Sequence, residues 1–136
     1  MPYLLRVRVE PADVDYLGHA NNLVYVRWVQ EAALAHSTAC GLDEAAYLAR
    51  GQSWVVRRHE IEYLRAAMPG DDVVVETRVA SMAAASSIRL TRVLRAGELL
   101  ARASTSWAFV DLARGRPTRI PDDIRTRFPL EPDEAS

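Results

Sequence analysis

Residues 13–22, Asp13-Val14-Asp15-Tyr16-Leu17-Gly18-His19-Ala20-Asn21-Asn22, run directly into an apolar stretch from Leu23 to His36. The first segment is turn chemistry: two aspartates, a glycine and two asparagines, all able to bond nearby backbone. The second reads as a helix, with Asn21 or Asn22 as its cap. Its apolar positions (Leu23, Val24, Val26, Trp28, Val29, Ala32, Ala33 and Leu34) cover more than one stripe. A helix of that kind needs other elements wrapped around it. Gly41 supplies the stop.

Outward from this stretch, the chain reads as one strand before the helix and four after it. Tyr3 to Val9 alternates, with Leu5, Val7 and Val9 set against Arg6 and Arg8, until Pro11 interrupts. Asp43 to Arg50 has the signals of a short second helix, and Gly51 lies just past its end. Trp54 to Arg65 is a strand with Val55, Arg57, His59, Ile61 and Tyr63 expected on one side. Met68-Pro69-Gly70-Asp71 is a turn, followed by strands over Val73 to Met82 and Ser87 to Arg95. A hairpin at Ala96-Gly97-Glu98 leads into the last long strand, Leu99 to Asp111, where Ala101, Ala103, Thr105, Trp107 and Phe109 share a face. The tail carries at most a short helix within Pro121 to Phe128. This order predicts an α+β layout, an antiparallel sheet folded around one long central helix. Edge strands left by such a sheet make a dimer the natural way to extend and bury it.

Composition narrows the function classes. The chain has 136 residues, enough for a single domain spanning 1–136. A net charge of -1 gives no attraction to nucleic acid or to anionic membranes. The longest apolar run is broken by Arg27, Gln30 and Glu31, well short of the ~20 residues of a membrane span. Cys40 is the only cysteine, so no internal disulfide and no thiolate zinc cage is expected, and a cytoplasmic protein is the default. All 17 basic residues other than histidine are arginine. The lack of lysine removes Schiff-base and phosphate-loop chemistry.

The string Asp13-x-Asp15-x-x-Gly18-His19-x-Asn21-Asn22-x-x-Tyr25, with Glu31 further along the helix, resembles the signature of the hotdog-fold acyl-CoA thioesterases of the 4-hydroxybenzoyl-CoA thioesterase-like family. Val55 to Asp71 is similar to that family's second strand and following turn, and Arg116-Pro117-Thr118-Arg119-Ile120-Pro121 to its exit from the last strand. The resemblance implies a hotdog fold and hydrolysis of an acyl-CoA. It also implies a homodimer or homotetramer with the site at a subunit interface, and no metal or redox cofactor. It makes Asp15 the catalytic carboxylate, as nucleophile or general base, and the amide near Asn22 the donor that polarises the thioester carbonyl. An oxyanion formed there would meet the free N–H groups and the positive end of the helix dipole.

Asp13 is expected to be structural, bonding loop amides or an arginine. His19 either contacts substrate or holds the Gly18 turn. Tyr25 and Trp28 are expected to line an acyl tunnel with strand aromatics, although core packing competes for Tyr25. Glu31 is a second candidate carboxylate, for which an ion pair or interface bond is the simpler role. His19, His36 and His59 are too scattered to hold a metal. Serines 86, 87, 104 and 106 fall on strands and lack a nucleophile elbow. Arg114, Arg116 and Arg119 read as a solvated turn or as phosphate contacts. Two other readings remain: action on acyl groups carried by acyl carrier protein, and a non-catalytic acyl-binding protein.

Overall fold

A computed structural model describes residues 1–132. The long helix, α1 (Asn22–Ala39), is fixed at both ends by its own sequence. Asn21 is extended and its side chain accepts the Leu23 N–H at 2.9 Å. At the other end Gly41 sits at φ 85, where only glycine is unstrained. Its N–H reaches the Thr38 carbonyl while the Leu42 N–H reaches that of Ser37, both at 2.9 Å, closing a Schellman motif. The second helix, α2 (Glu44–Arg50), is capped by Asp43, whose side chain accepts the Ala46 N–H. A one-turn helix, α3 (Asp122–Arg125), lies in the tail.

Five strands, β1 (Tyr3–Arg8), β2 (Gln52–Tyr63), β3 (Asp72–Met82), β4 (Ser86–Arg95) and β5 (Glu98–Asp111), form one antiparallel sheet in the order β1-β3-β4-β5-β2. A two-residue strand, β6 (Arg116–Pro117), adds to β5. Helix α1 packs across the β1–β3 side, burying Val24, Tyr25, Trp28, Val29, Ala32 and Ala33. These positions lie one turn apart on one side of the helix. Val24, Tyr25, Trp28 and Ala32 join Val9, Val73, Val75, Val93 and Leu100 in one core, and Leu42, Tyr47, Phe109, Ile120, Ile124 and Phe128 form a second.

Two expectations are corrected. First, β2 does not alternate throughout: a bulge between Val56 and Arg58 places Arg57 and Arg58 both on the exposed side. The inward set is therefore Trp54 and Val56, then His59 and Ile61, so Val55 and Arg57 leave the face assigned to them. Second, α1 is not covered on most sides within one chain. Leu23 is 74% and Leu34 41% exposed, and Gln30 and Glu31 stand on that open side too. No helix among the described residues is long and apolar enough to cross a membrane.

Candidate active site

The loop ahead of α1 is tied at its base. Val14 and Ala20 form an antiparallel bridge, the Asp15 N–H reaches the His19 carbonyl at 3.1 Å, and the Gly18 N–H returns to the Asp15 carbonyl at 3.0 Å. Gly18 takes φ 85, the left-handed turn that its lack of a Cβ permits. The Asn21 N–H bonds the Asp13 carbonyl at 2.9 Å, joining the loop to the first turn of α1. The candidate carboxylate and the helix N-terminus thus belong to one hydrogen-bonded unit.

Within that unit the two aspartates have different lives. Asp13 is 4% exposed. Its Oδ2 accepts the Glu10 N–H and its Oδ1 takes a 2.9 Å ion pair from Arg27 on α1. Burial pushes this carboxyl up, but the Glu10 amide and the Arg27 guanidinium outweigh burial and hold it below the ordinary carboxylate range. Asp13 is therefore fully committed as an anchor, and the arginine foreseen for it is Arg27. Asp15 is partly exposed. Its Oδ1 accepts the Leu17 N–H at 2.9 Å, the Asx turn its residue type favours, while Oδ2 has no protein donor among the described residues.

Asn22 is the first residue of α1. The Leu23 and Val24 amides are taken by Asn21, but the Asn22 N–H has no protein acceptor among the described residues. It is one of the orphan donors every helix start leaves. His19 lies in the same loop, partly buried, with Nδ1 3.2 Å from the Ala20 carbonyl oxygen.

Tyr25 is placed elsewhere than on a pocket wall. It is 2% exposed, and its hydroxyl accepts the buried Ala67 N–H at 3.0 Å. Its ring meets Trp28 and Tyr63 edge-on at 5.2 Å. Trp28, at 1% exposure, is core as well. Glu31 pairs with Arg27 at 3.0 Å across one helical turn. Arg114, Arg116 and Arg119 are exposed, as a solvated turn would leave them.

A half-open recess lies further along the helix. A cavity of about 280 Å³ opens between the second half of α1, the helix α2 and the sheet, with Tyr47, Trp54, Trp107 and Phe128 among its walls. No residue of the 13–22 loop lines it. Gln30, the first residue of α1 on its wall, lies about 12 Å from Asn22 at ~1.5 Å per residue. Sequence reasoning found the strand aromatics but missed Ser37 and Arg89, which share this wall.

Known proteins resemble this chain in sequence and in fold. A family model described as the thioesterase-like superfamily matches residues 9–128. An acyl-CoA thioesterase from Haemophilus influenzae, YbgC, is 27% identical over 123 residues, covering 90% of each chain. A chloroplastic palmitoyl-acyl carrier protein thioesterase from Cuphea hookeriana is 31% identical over 108 residues, covering 74% of this chain and 26% of that one. Among solved structures, a 1,4-dihydroxy-2-naphthoyl-CoA thioesterase from Synechocystis superposes with a TM-score of 0.86 at 19% identity, over 93% of this chain and 95% of that one. That likeness bears on the fold, which is the hotdog fold.

Proposed function

The chain belongs to the thioesterase-like superfamily and is a thioester hydrolase, and from that premise we propose that it cleaves an acyl-CoA to the free acid and coenzyme A through Asp15. The observation that carries the assignment is the division of labour between the two aspartates. Asp13 has both oxygens engaged by Glu10 and Arg27, whereas Asp15 keeps one oxygen open in the same hydrogen-bonded loop that leads to Asn22 and its unpartnered N–H.

In the general-base route Asp15 takes a proton from water, and the hydroxide adds to the thioester carbon. Negative charge grows on the carbonyl oxygen, where the Asn22 N–H and the start of α1 receive it. A donor of this kind typically lowers the barrier by ~3 kcal/mol. Collapse breaks the C–S bond and releases a thiolate whose ordinary pKa of ~8.5 demands little protonation. In the nucleophilic route the Asp15 carboxylate adds first, expels the thiolate and leaves a mixed anhydride that water then hydrolyses. Label found in Asp15 after a single turnover in ¹⁸O-labelled water would establish the second route, since the first never labels the carboxylate. His19, in the same loop, serves as a substrate contact in this reading. Tyr25 contributes at one remove by holding Ala67 against the core.

A second copy completes the site in this reading. The Asp15 loop of the same chain does not reach the cavity wall. A two-fold pairing with antiparallel helices brings the start of one α1 beside the second half of the other. The open side of α1 and the unpaired edge of β2 are the surfaces such a homodimer, alone or within a tetramer, would cover. The lone free Cys40 suits a reducing cytoplasm.

Thiol release from a panel of acyl-CoAs tests the proposal, with wild type beside Asp15→Asn. The variant should lose at least ~100-fold in kcat, within the range of a lost general base. Equal rates would remove Asp15 from its role. The match to the Cuphea enzyme favours one second reading, action on carrier-protein thioesters. Release from an acyl carrier substrate alone would select it, and silence on both substrates would point to a binding protein.

A further inference from the structure

Arg89 is the least expected residue in the sheet. It stands on the inward side of β4 at 6% exposure and lines the 280 Å³ cavity. One guanidinium nitrogen reaches His36 Nδ1 at 2.9 Å and Thr77 Oγ1 at 3.1 Å. Both partners are neutral acceptors, because burial, followed by the nearby Arg89 charge, lowers the His36 pKa to about 4. No carboxylate pairs with Arg89 among the described residues. Glu44, also on the cavity wall, sits exposed in the first turn of α2 and makes no bond to it. Burying a guanidinium is costly unless an anion or several good hydrogen bonds compensate it.

The rest of the wall is suited to a small polar-ended ligand. Ser37 on α1 and Ser87 on β4 line the space together with Tyr47, Trp54 and Trp107, their hydroxyls donating to the Leu42 and Ser81 carbonyls. The Trp107 Nε1–H is buried and has no acceptor among the described residues. At about 280 Å³ the cavity is near the lower end for small-molecule pockets, ~300 Å³. A purely apolar group would leave Arg89 uncompensated.

We infer that this cavity binds the acyl group of the substrate and that Arg89 receives a carboxylate at the far end of that group, making the preferred substrate the CoA thioester of a compact dicarboxylic acid. The inference rests on the acyl-CoA thioesterase reading above. Arg89 takes no part in the bond cleavage; it is a specificity-determining contact. A guanidinium matches a carboxylate with two parallel hydrogen bonds, which no neutral chain end can replace.

The test compares glutaryl-CoA with pentanoyl-CoA, two five-carbon acyl groups that differ by the terminal carboxylate. Wild type should show kcat/KM at least tenfold higher for glutaryl-CoA, and Arg89→Met should reduce that ratio at least tenfold. A wild-type ratio of one or below overturns the inference while leaving the thioesterase reading intact. So does an Arg89→Met protein that slows both substrates equally. Should Arg89→Met fail to fold, the wild-type ratio decides alone. Should neither thioester be hydrolysed while another acyl-CoA of the panel is, the inference is overturned and the thioesterase reading stands. Should no thioester be hydrolysed, that reading fails by itself, and free glutarate against pentanoate, followed by quenching of Trp54 and Trp107 fluorescence, decides the pocket. Tenfold tighter glutarate binding supports it, and equal binding refutes it.

Discussion

Tyr25→Phe separates a core residue from a substrate contact by a single oxygen atom. The hydroxyl accepts the buried Ala67 N–H at 3.0 Å and lies 3.5 Å from the Arg65 carbonyl, a separation too long to count for much. The phenylalanine ring keeps the edge contacts with Trp28 and Tyr63. What is lost is one acceptor for a buried amide, and leaving such a donor unsatisfied costs ~1–3 kcal/mol. For a chain of this size that lowers Tm by about 4–10 °C. Urea unfolding followed by tryptophan fluorescence reads the stability loss, with the m-value unchanged. Thiol release at a temperature where both proteins are folded reads the site, and KM should stay within about twofold. An unchanged urea midpoint together with a raised KM would refute the placement and return Tyr25 to the pocket wall.

Two further predictions concern pH and assembly. His36 keeps its folded pKa near 4, while the unfolded chain titrates at the ordinary 6.5. As pH falls through that window the unfolded state binds a proton that the folded state does not, so stability drops. The loss should be about 1–2 kcal/mol after allowing for partial exposure. His59, lowered by burial, acts in the same direction, so the comparison with His36→Gln isolates the first residue. Equal urea midpoint shifts between pH 7 and 4.5 in the two proteins would contradict it. For assembly, sedimentation should give at least two copies per particle, and Leu34→Glu on the open side of α1 should weaken that association at least tenfold. A wild-type protein that is active as a single chain would refute the shared site.

The helix and the order of elements were legible because their signals are local. Asn21, Asp43, Gly41 and Gly51 each act on backbone within a few residues, and each stands where its chemistry places it. Pro69-Gly70 and Ala96-Gly97 mark their turns for the same reason, with Gly70 and Gly97 both at φ 81. The face of β2 was not legible, since a period-two reading presumes that no residue is extra. The aspartate loop could be read as a unit, but Arg27 as its clamp depends on where α1 docks. Nor does β4 announce Arg89. Its alternation offers Ile88 and Leu90 on one side and Ser87, Arg89 and Thr91 on the other, and the core takes the polar set. Cross-strand partners decide this, among them Thr77 against Thr91 at 3.3 Å, and they lie outside the segment itself.

The bulge in β2 also determines where the chain can change length. Val56 faces Trp107 and Arg58 faces Ser106, so Arg57 is the one residue of the strand without a counterpart on β5. Removing it leaves Trp54, Val56, His59 and Ile61 on the side they already occupy and straightens the strand. Removing Glu60 instead slides one half of the strand past β5 and turns its inward residues to solvent. Deletions along this edge are therefore sharply unequal. Among relatives that differ in length here, the gap should fall at position 57, where losing a residue costs the protein a bend and not a face.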